Sequence, residues 1–282
     1  VLDLNAAIAD ANSLTVSGST SLDADVTTSG TQTYTSVSLG TGARTLEGST
    51  IQTITIDGSQ NLTITGNLDS NGNIGSNTPI GVFEVSGTSN FAANVLTSGT
   101  QTYSGAVTLG ANIVFTSSND NFTFSSTVDS DDTTRNLTLN AGSGTIGISN
   151  AVGGGEAIGT LTITQSGGVT FSGNINAAIV TLTDTSNSVT FAGNTVLTTL
   201  NTASQDYNVV FTGSTNTITN AVTFSNTGYV SFGNASGDSS TFNGGLTTTA
   251  PSQVNVGGTL QTSNDAMSLG DANTAIVLVA NS

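Results

Sequence analysis

GVTFSGN (Gly168 to Asn174), SVTFAGN (Ser188 to Asn194) and NVVFTGS (Asn208 to Ser214) bring in Phe171, Phe191 and Phe211 at equal steps along the chain, and YVSFGN adds Phe232. Each copy places a β-branched residue two positions before Phe, so Val169 and Phe171 share one strand face and Thr170 takes the other. Glycine follows within one or two positions, where a turn needs an unhindered backbone. A fixed period with only short strands inside it is the mark of a solenoid coil. One coil cannot bury its apolar face. Stacked coils can, and they would set Val169, Phe171, Val189, Phe191, Phe211, Val230 and Phe232 in one core stack at roughly 4.8 Å per step.

The expected fold is therefore all-β: a right-handed parallel β-helix, or β-solenoid, with coils of roughly 20 residues. It is read as one continuous segment over residues 1–282, belonging to a longer chain. About 14 such coils would make a rod of roughly 65 to 70 Å. In stacked coils, amides at matched positions can bond along the axis, and Asn174 with Asn194 is the expected pair.

Outside the Phe column the alternation continues. Ile51 to Ile56 and Asn61 to Ile64 read as strands, and Pro79 marks a loop or irregular edge because it lacks a ladder donor. Ile113 with Phe115, Phe122 with Phe124, and Leu137 with Leu139 are inward pairs of three strands. Ala151 to Glu156 reads as a corner. SGTQTY occurs twice, at Ser29 to Tyr34 and again at Ser98 to Tyr103. That spacing suggests a duplicated block of several coils, with Tyr34 and Tyr103 at matched corners of the rod. The tail Thr274 to Ser282 is strand-like, and both ends read as cuts in a longer protein or as ends protected by neighbouring subunits. No stretch has helical periodicity.

The chain has 282 residues, 35% of them hydrophobic and 7% charged. The remainder is mostly Ser, Thr, Asn and Gly, which suits thin coils sharing a core. Eighteen acidic residues face two arginines, Arg44 and Arg135, giving a net charge of −16. That charge repels nucleic acid and anionic membranes, so neither is an expected partner, and it keeps a strand-rich protein soluble. No apolar run suits membrane insertion. Without cysteine there is no disulfide framework and no thiolate metal site.

Chemistry has few residues to work with. Histidine and lysine are absent. Asp129, Asp131 and Asp132, beside Arg135, are placed in a turn and form a weak calcium candidate set; the plainer reading is a solvated acidic turn. No catalytic residue is assigned, no enzyme activity is expected, and no other cofactor is anticipated. Asn61, Asn121, Asn136 and Asn234 stand in Asn-x-Ser/Thr tripeptides, as expected of a chain so rich in Asn and Thr.

TQTYSGAVTLGAN (Thr100 to Asn112), TLNAGSGTI (Thr138 to Ile146) and AVGGGEAIGTLTI (Ala151 to Ile163) resemble the repeat regions of large bacterial surface proteins of the filamentous-haemagglutinin-like, β-strand-repeat type. The resemblance covers a limited part of the chain and carries no catalytic residue. It implies export to the bacterial cell surface, a β-helical shaft, and a role in adhesion or biofilm structure. Its implied partners are neighbouring copies or adjoining segments of the same protein, and cell-surface polysaccharide. A self-assembling filament, sheath or surface-layer subunit is the alternative, and a polysaccharide-acting β-helix enzyme a third reading.

Overall fold

In a computed structural model, which describes residues 1–279, every regular element is a β-strand, 32 in all among the described residues. Short strands of alternating pattern, each ended by a polar or glycine turn, wind the chain around three faces. The fold is a parallel β-solenoid, and its coil length is that of the Phe repeat.

The first face carries the Phe column. Phe171 is in register with Phe191, Phe191 with Phe211, and Phe211 with Phe232; the column continues to Val256 and Leu278. Upstream the same positions hold Ile148, Phe124, Tyr103, Val85, Ile64, Leu46 and Val26. The second face runs through Ile51, Leu68, Ser89, Val107, Val128, Val152 and Ile175. The third runs through Ile56, Ile74, Val95, Phe115, Leu139, Ile163 and Leu182. Some strands bend round a corner without losing their pairing, as Arg44–Asp57 does with a register shift between Glu47 and Thr50, and such strands join the first face to the N-terminal parts of the others in a 20-stranded sheet; from Val95 on the third face belongs to a separate 9-stranded sheet, and a 3-stranded sheet through Val222, Leu246 and Met267 lies near the C-terminal end.

Inward side chains from all three faces meet in one core. Val169, Val189 and Val230 are at most 2% exposed, like Phe171, Phe191, Phe211 and Phe232. The rings of Phe171, Phe191 and Phe211 stack at centroid distances of 5.4 and 4.9 Å, with planes 17° and 10° apart. In the N-terminal half Tyr103 stacks on Phe124 at 5.0 Å in the same column, and Phe91 and Phe115 from the other faces meet Tyr103 edge-on at 5.5 and 5.4 Å. Aromatic pairs favour both arrangements.

Tyr34 and Tyr103 are not corner residues. Both are buried, at 1% and 0% exposure, and they do not share a face: Gln101 to Tyr103 lies on the first face and Gln32 to Tyr34 on the second. In each copy the glutamine points inward with the tyrosine, and the tyrosine hydroxyl donates to the glutamine Oε1 at 2.8 Å. Gln32 Nε2 in turn donates to Glu47 O (2.7 Å), as Gln101 Nε2 does to Thr116 O (2.9 Å). The preceding threonine hydroxyl donates to the glycine carbonyl in both, Thr28 to Gly30 and Thr97 to Gly99. SGTQTY thus specifies a way of turning into a face, whichever corner it occupies. The distance between its two copies is not a whole number of coils, which is why they fall on different faces.

The corners are tied by asparagine in a way that differs from the expected amide-to-amide ladder. Asn174 Oδ1 accepts the backbone N–H of Asn194 (2.9 Å), and Asn194 Oδ1 accepts that of Thr215 (3.0 Å). The same bond joins Asn61 to Val82, Asn67 to Thr88, Asn121 to Thr145 and Asn136 to Thr160. At a corner the backbone turns away from the ladder and its N–H loses a strand partner. A side-chain oxygen from the preceding coil supplies one at these exposed corners, and so ties each coil to the next. Coils lengthen where a corner carries a longer turn: the step from Leu46 to its partner Ile64 is shorter than the step from Phe124 to Ile148.

The strand-like tail is seen as Ala275–Leu278, paired with Gln253–Val256; its last three residues lie outside the described part of the chain.

Candidate functional site

The acidic residues near Arg135 do not form the turn read from the sequence. Asp129 is the middle residue of the strand Val128–Ser130; Val128 and Ser130 point inward, leaving Asp129 on the outer surface. Its Oδ1 accepts the N–H of Gly155, from the next coil, at 2.8 Å. The turn starts at Asp131, whose carboxylate receives Arg135 Nε at 2.9 Å and Nη2 at 2.7 Å, together with the N–H of Thr133 at 3.0 Å. The Arg135 hydrogen bond holds the Asp131 carboxyl below the usual carboxylate range and pushes the guanidinium up. Asp132 is exposed. The three carboxylates thus have separate surroundings. Among the described residues no group of three or more His, Cys, Asp or Glu side chains is placed to hold a metal ion.

Asp129 has a different task, and Asp57 shares it. Each pins a loop of the following coil. The loops are Ile74-Gly-Ser-Asn-Thr-Pro-Ile80 and Val152-Gly-Gly-Gly-Glu-Ala-Ile158, both of the same length and both closed by isoleucine. Asp57 Oδ1 accepts the N–H of Asn77 at 2.8 Å, and Asp129 Oδ1 accepts that of Gly155, the equivalent residue. Asp57 Oδ2 also takes the Asn77 side-chain amide at 2.9 Å. Thr134 Oγ1 donates to Glu156 Oε1, and Ser130 Oγ to Ala157 O, so the second loop is fastened to the coil before it.

The glycine that opens each loop has a positive φ, +75° at Gly75 and +69° at Gly153. A Cβ there would stand 2.0 Å from Leu96 O at Gly75 and 2.1 Å from Asn176 O at Gly153. Only glycine lets the loop leave the rod this close to the carbonyl of the next coil.

Held upward, each loop overhangs the outer surface of the coils that follow and makes a recess. Under Gly75 to Pro79 the recess is about 270 Å³, lined by Asn73, Asn94, Leu96, Val114 and Thr116. Under Gly153 to Ala157 it is about 380 Å³, floored by Asn174, Asn176, Asn194 and Val196. This second recess runs on past Ala157, over Ala178, Val196 and Thr198. The sequence signal for both was available: an apolar residue, glycine, four residues and isoleucine, with an aspartate on the coil before. It is too short to stand out until the coils are stacked.

A parallel ladder wound on three faces, with shared core and pinned corner loops, defines a structural β-solenoid repeat protein. No protein-family model, no curated protein and no solved structure matches the chain. No helix among the described residues is long and apolar enough to cross a membrane.

Proposed function

We propose that this chain is a segment of an extracellular shaft on a bacterial cell-surface protein, holding an adhesive or matrix-forming region away from the cell. The observation that carries this reading is the continuity of the ladder. Register passes from Val26 through Phe124 and Phe171 to Leu278 on one face, and side-chain oxygens stitch corners of successive coils together. A load along the axis is shared by the backbone bonds of three faces and by the corner bonds. The resemblance of Thr100 to Asn112 and Ala151 to Ile163 to surface-protein repeats supports the placement outside the cell. The work is mechanical, and no catalytic step belongs to it.

The test is electron microscopy of the protein on its native cells, with antibody against this segment. Isolated rods projecting from the envelope are expected. An ordered lattice would replace the shaft with a self-assembling subunit, and label confined to the cell interior would refute both.

A further inference from the structure

We propose that the recess under Gly153 to Ala157 is a binding site for a neutral polysaccharide, an uncharged hexose chain lying across the second face beneath the loop. In a chain of net charge −16, the residues lining this recess are Gly, Ala, Val, Ile, Leu, Thr and Asn, none of them charged. The surrounding negative potential disfavours uronate, sulfate or phosphate polymers, whereas an uncharged ligand meets no such barrier.

Hydrogen bonding narrows the ligand further. The backbone of the floor is already paired: Val152 N–H donates to Asn174 O, Asn176 N–H to Val152 O, and Ile175 N–H to Asn194 O. An added peptide strand needs a free sheet edge, and none exists here. What the floor offers is side-chain amide. Asn174 and Asn194 are oriented through Oδ1, which accepts a backbone N–H of the next coil, so each keeps its Nδ2 for a ligand. Asn176 is exposed and its amide makes no hydrogen bond among the described residues. Amide N–H donors from all three asparagines and the free Asn176 carbonyl as acceptor, set beside an aliphatic surface, suit the hydroxyls and the C–H faces of a sugar ring. Val196, 55% exposed, and Ala178 supply that aliphatic surface.

The second loop of the same build makes this a design used twice. Gly75 to Pro79 covers Asn73 and Asn94 with Leu96 and Val114, again amides beside aliphatic side chains and again without a charged group. The two recesses lie on adjacent faces about four coils apart, roughly 20 Å along the axis. One chain could engage both. The site stands whether or not the rod is a surface shaft.

The experiment uses the whole chain with cello-, laminari-, malto- and mannohexaose, and with polygalacturonate as the anionic comparison. At least one neutral hexaose is expected to shift the side-chain amide resonances of Asn174, Asn176 and Asn194. Val196→Arg, an outward substitution that fills the recess, is expected to weaken that binding at least tenfold with the thermal melt unchanged. Asn176→Ala is a second variant that removes the free amide without adding bulk or charge, and it should weaken binding as well. The proposal is overturned if no neutral hexaose shifts those resonances at millimolar concentration, if both variants bind like the parent, or if polygalacturonate binds as tightly as the neutral chains.

Discussion

Replacing Phe191 by alanine tests whether the rod is held by contacts between neighbouring coils. Phe191 is fully buried and its ring lies between those of Phe171 and Phe211, at 5.4 and 4.9 Å. Deleting a buried Phe side chain costs about 3 to 5 kcal/mol, a figure that already includes the lost ring stacking. In a stacked array that loss falls on the two interfaces the ring spans, not on the whole molecule. Hydrogen exchange followed by mass spectrometry separates the two cases. Protection in Ser188–Phe191, and in the flanking Gly168–Phe171 and Asn208–Phe211, should fall by about a hundredfold to several thousandfold, since about 1.4 kcal/mol is tenfold. Protection in Phe83–Val85 and Gln101–Tyr103, several coils away, should be unchanged. A loss of less than tenfold at Ser188–Phe191, or an equal loss at Gln101–Tyr103, would refute nearest-neighbour coupling as the source of stability.

Three further outcomes are expected. Asn194→Ala, which leaves the Thr215 N–H without its acceptor, should cost about 1 kcal/mol in urea unfolding, while Asn194→Asp, which keeps the acceptor, should cost less than half of that. Burial pushes the phenols of Tyr34 and Tyr103 well up and that of Tyr207 up to about 12. Above pH 10 the unfolded chain therefore loses protons that the folded chain keeps, and stability should fall by about 1.4 kcal/mol per pH unit for Tyr103 alone. Tyr103→Phe should flatten that alkaline slope while costing about 1 kcal/mol at neutral pH, where Gln101 Oε1 loses its donor; equal slopes in the two proteins would count against the burial. Gly153→Ala and Gly75→Ala should each destabilise by more than about 1 to 2 kcal/mol, the left-handed backbone penalty, because the new methyl also meets a carbonyl; unchanged urea midpoints would show that the loops are not pinned as described.

The Phe column was legible because its signal is local and repeated: the same residue type returns at the same strand position, coil after coil. Pro79 likewise announced its loop. Tyr34 and Tyr103 were harder, because Ser, Gly, Thr and Gln around them look like surface. Alternation did put Gln101 and Tyr103 on one side, but that the side is inward depends on a glutamine whose hydrogen bonds are all met inside the core, by Thr116 O, Thr97 Oγ1 and the tyrosine itself. The role of Asp129 was hidden for a related reason. Three aspartates close in sequence suggest a shared ion, whereas strand alternation sends Asp129 to the outer surface and Arg135 captures Asp131. The recesses depend on contacts between successive coils, from Asp57 to Asn77 or from Asp129 to Gly155, and no short window of sequence shows them.

The bonds by which these asparagines and aspartates accept an amide of the neighbouring coil point one way. Asn61, Asn67, Asn121, Asn136, Asn174 and Asn194, like Asp57 and Asp129, offer oxygen to an amide that comes later in the chain. A coil that has formed therefore displays, beside its open strand edges, acceptors set in place for the coil still to be laid down. A polypeptide threading out N-terminus first from a ribosome or a pore would find its template already waiting, and would wind itself up in the order in which it arrives.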